Sequence, residues 1–98
     1  MLTMKVTPSA AAQVREARAW WQANREKAPN AFDEELRMAC ELIIHQPELG
    51  AKAMNAKLQG VRRIHLSRIR YHLYYRVMRG QIEVLALWHS SRGAGPVV

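Results

Sequence analysis

Alternating apolar and polar positions mark the C-terminal half of this chain. In RIRYHLYYRV, residues 68–77, every second residue from Ile69 is apolar or aromatic, and cationic or aromatic side chains fill the positions between. A period of two is typical of a β-strand with one packed face. Similar runs cover residues 61–66 and 81–89. The short connections at residues 67–68 and 78–80 predict antiparallel pairing of the three strands.

The last of these runs is apolar in both phases. Ile82, Val84, Ala86 and Trp88 occupy one phase, whereas Leu85 and Leu87 occupy the other. A strand that is apolar on both faces is expected inside a sheet and not at its edge.

A period near 3.6 replaces this alternation in the N-terminal half. Thr7-Pro8 is a capping residue followed by a proline suited to the first helical turn, and the spacing of Ala10, Val14, Ala17 and Trp21 predicts one helical face. Asn30 is positioned to cap a second helix that ends before Pro47. The apolar stripe of this second helix contains Phe32, Leu36, Ala39, Cys40 and Ile43, and Met38 and Leu42 widen it.

These elements predict an α+β fold of order β-α-α-β-β-β, in which a helical hairpin covers one face of a small antiparallel sheet. Residues 2–6 are an expected edge strand, and residues 51–60 an expected connecting loop. The 98 residues suit a single domain, with residues 93–98 as a mobile tail. One cysteine, Cys40, excludes an internal disulfide. No signal peptide or membrane span is visible, and a cytoplasmic location is expected.

Charge is strongly polarised along the chain. Residues 1–50 contain six basic and seven acidic residues, whereas residues 51–98 contain nine basic residues and Glu83 alone. Such a field attracts nucleic acid or an acidic protein. If the strand register permits, the polar residues at alternate positions of the two adjacent strands, including His65, lie together on the sheet face that the helices leave open. The candidates for a functional basic face are Arg62, Arg63, Arg68, Arg70, His72, Arg76 and Arg92.

Two kinds of chemistry fit such a face. Arginines could bind RNA phosphates while a histidine or tyrosine moves protons and tyrosine rings stack on bases, with His89 as the candidate acid/base. Alternatively, the face docks an acidic partner without chemistry. The four histidines are scattered, so we expect no metal site, and nothing in the sequence indicates a cofactor.

Several strings, in order, resemble the RelE/ParE superfamily of type II toxin–antitoxin toxins. They are TPSAAAQVREARAWW, APNAFDEEL, HQPELG, GVRRIHL, RYHLYYRV and IEVLALWHSSRG, and the resemblance runs from about Leu2 to Gly93. The family arginine of the first hairpin strand falls on Arg62 or Arg63. The strand-end histidine of some members falls on His89, but the tyrosine that follows it is Ser90 here.

The resemblance implies a bacterial toxin neutralised by a cognate antitoxin in a hetero-oligomer. The WW helix and the RYHLYYRV strand look closer to the ParE-like, plasmid-stabilisation branch, which implies DNA gyrase as the target. The alternatives are a RelE-like ribosome-dependent mRNA endonuclease and a non-toxic partner-binding member. The antitoxin is expected to present an acidic or amphipathic segment, with Leu36, Met38 and Leu42 as candidate contacts.

Overall fold

A computed structural model describes residues 2–93 and 95–98. Two helices and five strands are present in this part of the chain. The helices are α1 (Pro8–Asn24) and α2 (Ala31–His45). The strands are β1 (Thr3–Val6), β2 (Ala51–Lys52), β3 (Arg62–Leu66), β4 (Tyr71–Met78) and β5 (Gln81–His89).

The strands form one sheet in the order β1-β5-β4-β3-β2. The α+β prediction with a helical hairpin on one sheet face is confirmed, and β1 is the expected edge strand. The sheet is mixed, because β1 pairs parallel to β5 while the other pairings are antiparallel. Residues 51–60 are not wholly a loop, since Ala51 and Lys52 pair with β3 as the opposite edge strand.

The start of α1 follows its sequence signals. The Thr7 hydroxyl accepts a hydrogen bond from the Ala10 amide at 3.2 Å, and Pro8 begins the helix. The prediction for α2 is right about position and wrong about the cap, because the Asn30 side chain makes no capping hydrogen bond. Asp33 and Glu34 supply negative charge in the first turn of α2, where the helix dipole favours it.

The main core lies between the helices and one face of the sheet. Phe32 and Ile43 of α2 and Trp21 of α1 pack against strand residues that include Leu73 and Tyr75. Trp21 donates its indole N–H to the Ala28 carbonyl at 2.8 Å, which ties the helical connection to α1. The predicted burial beneath the helices is confirmed for Ile69, Leu73 and Tyr75, whereas Tyr71 packs against this core but is only partly buried.

A β-bulge in β5 changes which residues face the helices. Tyr74 pairs with Ala86 and Tyr75 pairs with Val84, so Leu85 is an extra residue without an opposite partner. Val84 and Leu87 therefore both enter the main core, whereas Leu85 and Ala86 both belong to a second cluster. The predicted grouping of Ala86 and Trp88 with Ile82 and Val84 is wrong for this reason.

The sheet face turned away from the helices, called the second face below, is only partly open. Its strand residues include Arg63, His65, His72, Tyr74, Ala86 and Trp88, and Arg76 lies opposite Glu83 on the same face. Val61, Tyr74, Leu85 and Ala86 form a buried cluster on it, covered by Ala53, Ala56 and Val98.

Chain ends and turns complete the fold. Arg79 and Gly80 join β4 to β5 with φ of 47° and 76°, the two positive angles of a type I′ hairpin turn. The Val98 carbonyl accepts a hydrogen bond from the Lys57 amide at 2.6 Å.

The single-domain organisation and the mobility of residues 93–98 stay predictions, and Ala94 lies outside the described residues. Neither helix in the described part is long and apolar enough to cross a membrane.

Candidate functional site

The second face carries one compact polar cluster. His65 and His72 are opposite each other on β3 and β4, and their ring centroids are 4.8 Å apart. Arg63 is opposite Tyr74, and its guanidinium lies 3.4 Å from the Tyr74 hydroxyl. The alternation of the two strands therefore brings a guanidinium, two imidazoles and a phenol together.

His72 is held in its neutral form at pH 7. Partial burial lowers the pKa of His72 below 6.5, and the positive charge of Arg63 and the neighbouring His65 lower this pKa further. A neutral imidazole can accept a proton or a hydrogen bond beside the fixed charge of Arg63.

Arg62 is not on the second face. It pairs with Tyr75, so its side chain lies on the helix side of the sheet, where its guanidinium donates to the Gly50 carbonyl at 2.8 Å and the Glu48 carbonyl at 3.3 Å. Tyr75 binds the same turn: its hydroxyl donates to the Pro47 carbonyl at 2.8 Å and accepts from the Gly50 amide at 2.9 Å. Arg62 thus holds the α2–β2 turn, and the prediction that it belongs to the open basic face is wrong.

Arg68 and Arg70 lie in the β3–β4 turn and not on a strand. Arg68 turns toward α2, where its guanidinium pairs with Glu34 at 3.1 Å and its amide donates to Glu35. Arg70 has a φ of 65°, and its carbonyl accepts hydrogen bonds from the amide and hydroxyl of Ser90. The structure therefore does not place either side chain with Arg63 in the second-face cluster.

Arg76 and Arg92 have intramolecular partners of their own. Arg76 pairs with Glu83 at 2.8 Å, and both side chains are about one-fifth exposed, at 20% and 19%. The Arg92 guanidinium lies 3.8 Å from the centroid of the Trp88 ring, a cation–π contact.

His89 lies on the helix side of the sheet, separated by the strands from the Arg63 cluster. It pairs with Tyr71, whose ring it meets edge-on at 5.0 Å. The amide of Ser91 donates to His89 Nδ1 at 3.1 Å, which leaves the proton of the neutral ring on Nε2. His89 and Tyr71 line a groove of about 190 Å³. The other lining residues are Gln13, Glu16, Ala17, Trp20, Leu87 and Arg92.

Tyr71 is a poor proton donor in this groove. Burial raises the pKa of Tyr71 above 10 and the Glu16 carboxylate raises it further, while Arg92 lowers it. In addition, no arginine other than Arg92 lines the groove in the described part of the chain. This groove therefore offers the His89 imidazole and the Glu16 carboxylate as candidate proton carriers, and one cation, Arg92, that could hold a phosphate.

The apolar candidates on α2 separate into two kinds. Leu36 packs against the main core, whereas Met38 and Leu42 are 58% and 45% exposed. Met38 and Leu42 form a shallow groove with Glu41 and His45.

Within residues 2–93 and 95–98, no three His, Cys, Asp or Glu side chains are placed to hold a metal ion. Burial raises the pKa of the Cys40 thiol, which leaves it protonated at neutral pH.

Sequence reasoning missed the groove that adjoins the Arg63 cluster. Lys52, on the short β2 strand, and the loop that follows it form one wall, and residues near the chain end form the other. Residues 51–60 carry no clear period, and the pairing of Ala51 and Lys52 with β3 joins residues distant in the sequence, so no local signal for this groove exists in the sequence.

The helical hairpin and the five-stranded mixed sheet form a RelE/ParE-like fold. The solved structure described as "Chromosomal ParDE TA system from P. aeruginosa" superposes with a TM-score of 0.63 over 91% of this chain and 96% of that chain, at 21% identity. A YoeB dimer from Staphylococcus aureus gives a TM-score of 0.59 over 90% and 95% of the two chains, at 16% identity. At such identities these likenesses establish the fold alone.

The sequence identifies the family within that superfamily. The model described as "ParE toxin of type II toxin-antitoxin system, parDE" matches residues 4–93, and this chain belongs to that toxin family. No sequence among the curated proteins matches this chain significantly. The resemblance inferred from the sequence strings is thereby confirmed.

Proposed function

We propose that this protein is a toxin that inhibits DNA gyrase and is neutralised by a cognate antitoxin. The observation that carries the proposal is the match of residues 4–93 to the ParE toxin family. The similar P. aeruginosa structure is described as a ParDE toxin–antitoxin system, which supports an antitoxin partner for this chain too.

The arrangement of the polar residues also favours a binding protein over a nuclease. Cleavage of RNA needs cations on the phosphate and an acid/base within hydrogen-bond reach of the same atoms. Here His89 lies on the helix side of the sheet and Arg63 on the second face, while Arg68 and Arg76 are paired with carboxylates. The residues expected to act together in a nuclease are therefore separated.

One observation favours a second candidate function, mRNA cleavage at the ribosome. Arg63, His65, His72 and Tyr74 are neighbours on the second face, and the neutral imidazole of His72 could accept a proton beside the Arg63 charge. In that alternative, His65 and His72 replace His89 as the candidate proton carriers.

Two assays on the purified protein separate these functions. We expect the protein to inhibit supercoiling of relaxed plasmid by gyrase and to leave mRNA intact on programmed ribosomes. Cut mRNA with undisturbed supercoiling would overturn the gyrase proposal in favour of the nuclease. If neither activity appears and induced expression does not slow growth, the chain is a non-toxic partner-binding member.

Variants then test the basic residues. Arg63 is exposed with one long contact to Tyr74, and Arg70 has an exposed side chain in a turn, so replacing either with alanine should leave the melting temperature nearly unchanged. We expect both variants to lose toxicity if the basic residues touch the target. Arg62→Ala is the contrasting variant, because loss of its two carbonyl contacts should lower stability. Full toxicity in both surface variants would move the working surface to another part of the molecule, such as the helical hairpin.

A further inference from the structure

Two imidazoles, those of His65 and His72, face each other across the β3–β4 pairing. The two residues are scattered in the sequence, but the strand register places them directly opposite each other, with ring centroids 4.8 Å apart. His65 is exposed and His72 is partly buried, so the pair lies at the surface of the second face. The fold therefore brings together two of the four histidines, called the histidine pair below.

The rings of the histidine pair are not used by the fold as hydrogen-bonding groups. In the part of the chain that the structure describes, neither ring has a hydrogen-bond partner, whereas the other two histidines do. His45 Nδ1 contacts a helix carbonyl at 2.8 Å, and His89 Nδ1 accepts a hydrogen bond from an amide at 3.1 Å. A neutral imidazole keeps one nitrogen with a free lone pair, which is the atom that binds metal ions. The histidine pair thus offers two such lone pairs side by side.

The spacing of the two rings matches the spacing that a shared metal ion requires. A histidine nitrogen lies about 2.0–2.1 Å from zinc, so the ring centroid lies about 3.2 Å from the ion, and two rings that meet it at about 90–110° have centroids about 4.5–5.2 Å apart. The observed 4.8 Å falls inside this range. Because χ2 of histidine is broad, each ring can turn a nitrogen toward the ion without a change in the backbone.

From this geometry we propose that His65 and His72 bind one divalent transition-metal ion of the zinc and copper class, with water completing the coordination. Imidazole nitrogen suits these ions, whereas Mg²⁺ and Ca²⁺ prefer oxygen ligands. The bound ion links β3 to β4 on the second face. This inference goes beyond the proposed toxin function and does not depend on the toxin's target.

Arg63 opposes the binding of a cation here and therefore supplies a test. It lies two residues from His65 on the same face of β3, and its guanidinium is 3.4 Å from the Tyr74 hydroxyl. A fixed positive charge so near the histidine pair weakens the binding of a metal ion through repulsion. Arg63→Gln should therefore tighten binding, by about two- to fivefold after screening by salt.

Isothermal titration of the protein without a polyhistidine tag measures the affinity. We expect one Zn²⁺ per chain, tighter binding of Cu²⁺, and no binding of Mg²⁺. His65→Ala and His72→Ala should each weaken zinc binding at least about tenfold, because even groups that only support a metal ligand contribute about 10–100-fold to affinity. His45→Ala and His89→Ala are the matched controls and should leave the affinity unchanged, as should Cys40→Ala, which removes the single thiol.

Two further measurements show that both rings hold the same ion. Electron paramagnetic resonance of the Cu²⁺-loaded protein should show two nitrogen ligands, and one in either variant of the histidine pair. A ligand that binds only the folded protein stabilises it, so Zn²⁺ at a hundredfold excess over its dissociation constant should raise the melting temperature by about 10 °C. The same zinc concentration should not raise the melting temperature of His65→Ala, and circular dichroism checks that this variant is folded.

Several outcomes would overturn the proposal. Equal losses of zinc affinity in His45→Ala, His89→Ala and His65→Ala would show scattered surface binding, and Mg²⁺ binding as tight as that of Zn²⁺ would show attraction without ligation. Weaker zinc binding in Arg63→Gln would place the ion away from the second face. None of these measurements contains gyrase, so the metal site stands or falls independently of the supercoiling assay.

Discussion

Replacing Tyr75 with phenylalanine tests whether one hydroxyl holds the turn that follows α2. Tyr75 is 0% exposed, and its hydroxyl donates to the Pro47 carbonyl at 2.8 Å and accepts from the Gly50 amide at 2.9 Å. Phenylalanine keeps the ring and its packing but leaves both backbone groups without this partner. A neutral hydrogen bond contributes about 1 kcal/mol, and a buried unsatisfied donor costs about 1–3 kcal/mol.

The expected loss is therefore about 2–3 kcal/mol in the free energy of unfolding. For a domain of this size, that loss lowers the melting temperature by roughly 10 °C or more. Urea unfolding followed by circular dichroism gives the free energy. Tryptophan fluorescence, to which the buried Trp21 contributes, provides a second probe of the same transition.

Tyr74→Phe is the matched control. Tyr74 is 6% exposed in the neighbouring position of β4, and its hydroxyl has one long contact, 3.4 Å to the Arg63 guanidinium. We expect this variant to lose less than about 0.5 kcal/mol. If the two variants lose equal stability, the hydroxyl of Tyr75 does not hold the turn, and the contribution assigned to its two hydrogen bonds is wrong.

Three further predictions concern a cap, an ion pair and a histidine. Thr7→Ala should cost about 1 kcal/mol of stability while Thr7→Ser costs little, because the hydroxyl caps the Ala10 amide; equal losses in chemical denaturation would contradict this. A double-mutant cycle on Arg76 and Glu83 should give a coupling of about 1 kcal/mol that weakens in high salt; a coupling near zero would contradict a contribution to stability. Folding lowers the pKa of His72, so the unfolded chain binds the proton first and stability falls as pH drops below 6.5; His72→Gln should flatten that loss, and an unchanged pH profile would exclude His72 as its source.

Signals from residues close together in the sequence were sufficient to predict α1, α2 and β5. The Thr7-Pro8 pair predicted the start of α1, and the run from Gln81 to His89 predicted β5 with the bounds observed. Each signal depends on neighbours in the sequence, since capping and a period of two involve only residues a few positions apart. The stripe of α2 was predictable for the same reason, including Phe32 and Ile43 in the core.

The faces of the strands were harder to predict because they depend on pairing between distant residues. In the sequence, Leu85 cannot be distinguished from a residue of a regular strand. Only the pairing of Ala86 with Tyr74 and of Val84 with Tyr75 identifies it as a bulge. One unpaired residue reverses the alternation for the rest of the strand. The sequence therefore placed Ile82 and Val84 together correctly and assigned Ala86 and Trp88 to the wrong face.

The same dependence on register separates Arg62 from Arg63, which the resemblance alone left undecided. Arg62 pairs with the buried Tyr75 and binds backbone carbonyls, so its charge is part of the fold. Arg63 pairs with Tyr74 on the opposite face and has no carboxylate partner among the described residues. Net charge counts the two arginines equally, although only Arg63 remains available to a partner. The positive half of the chain thus overstates the charge that the second face offers to a partner, because Arg62 is bound to backbone carbonyls and Arg76 is paired with Glu83.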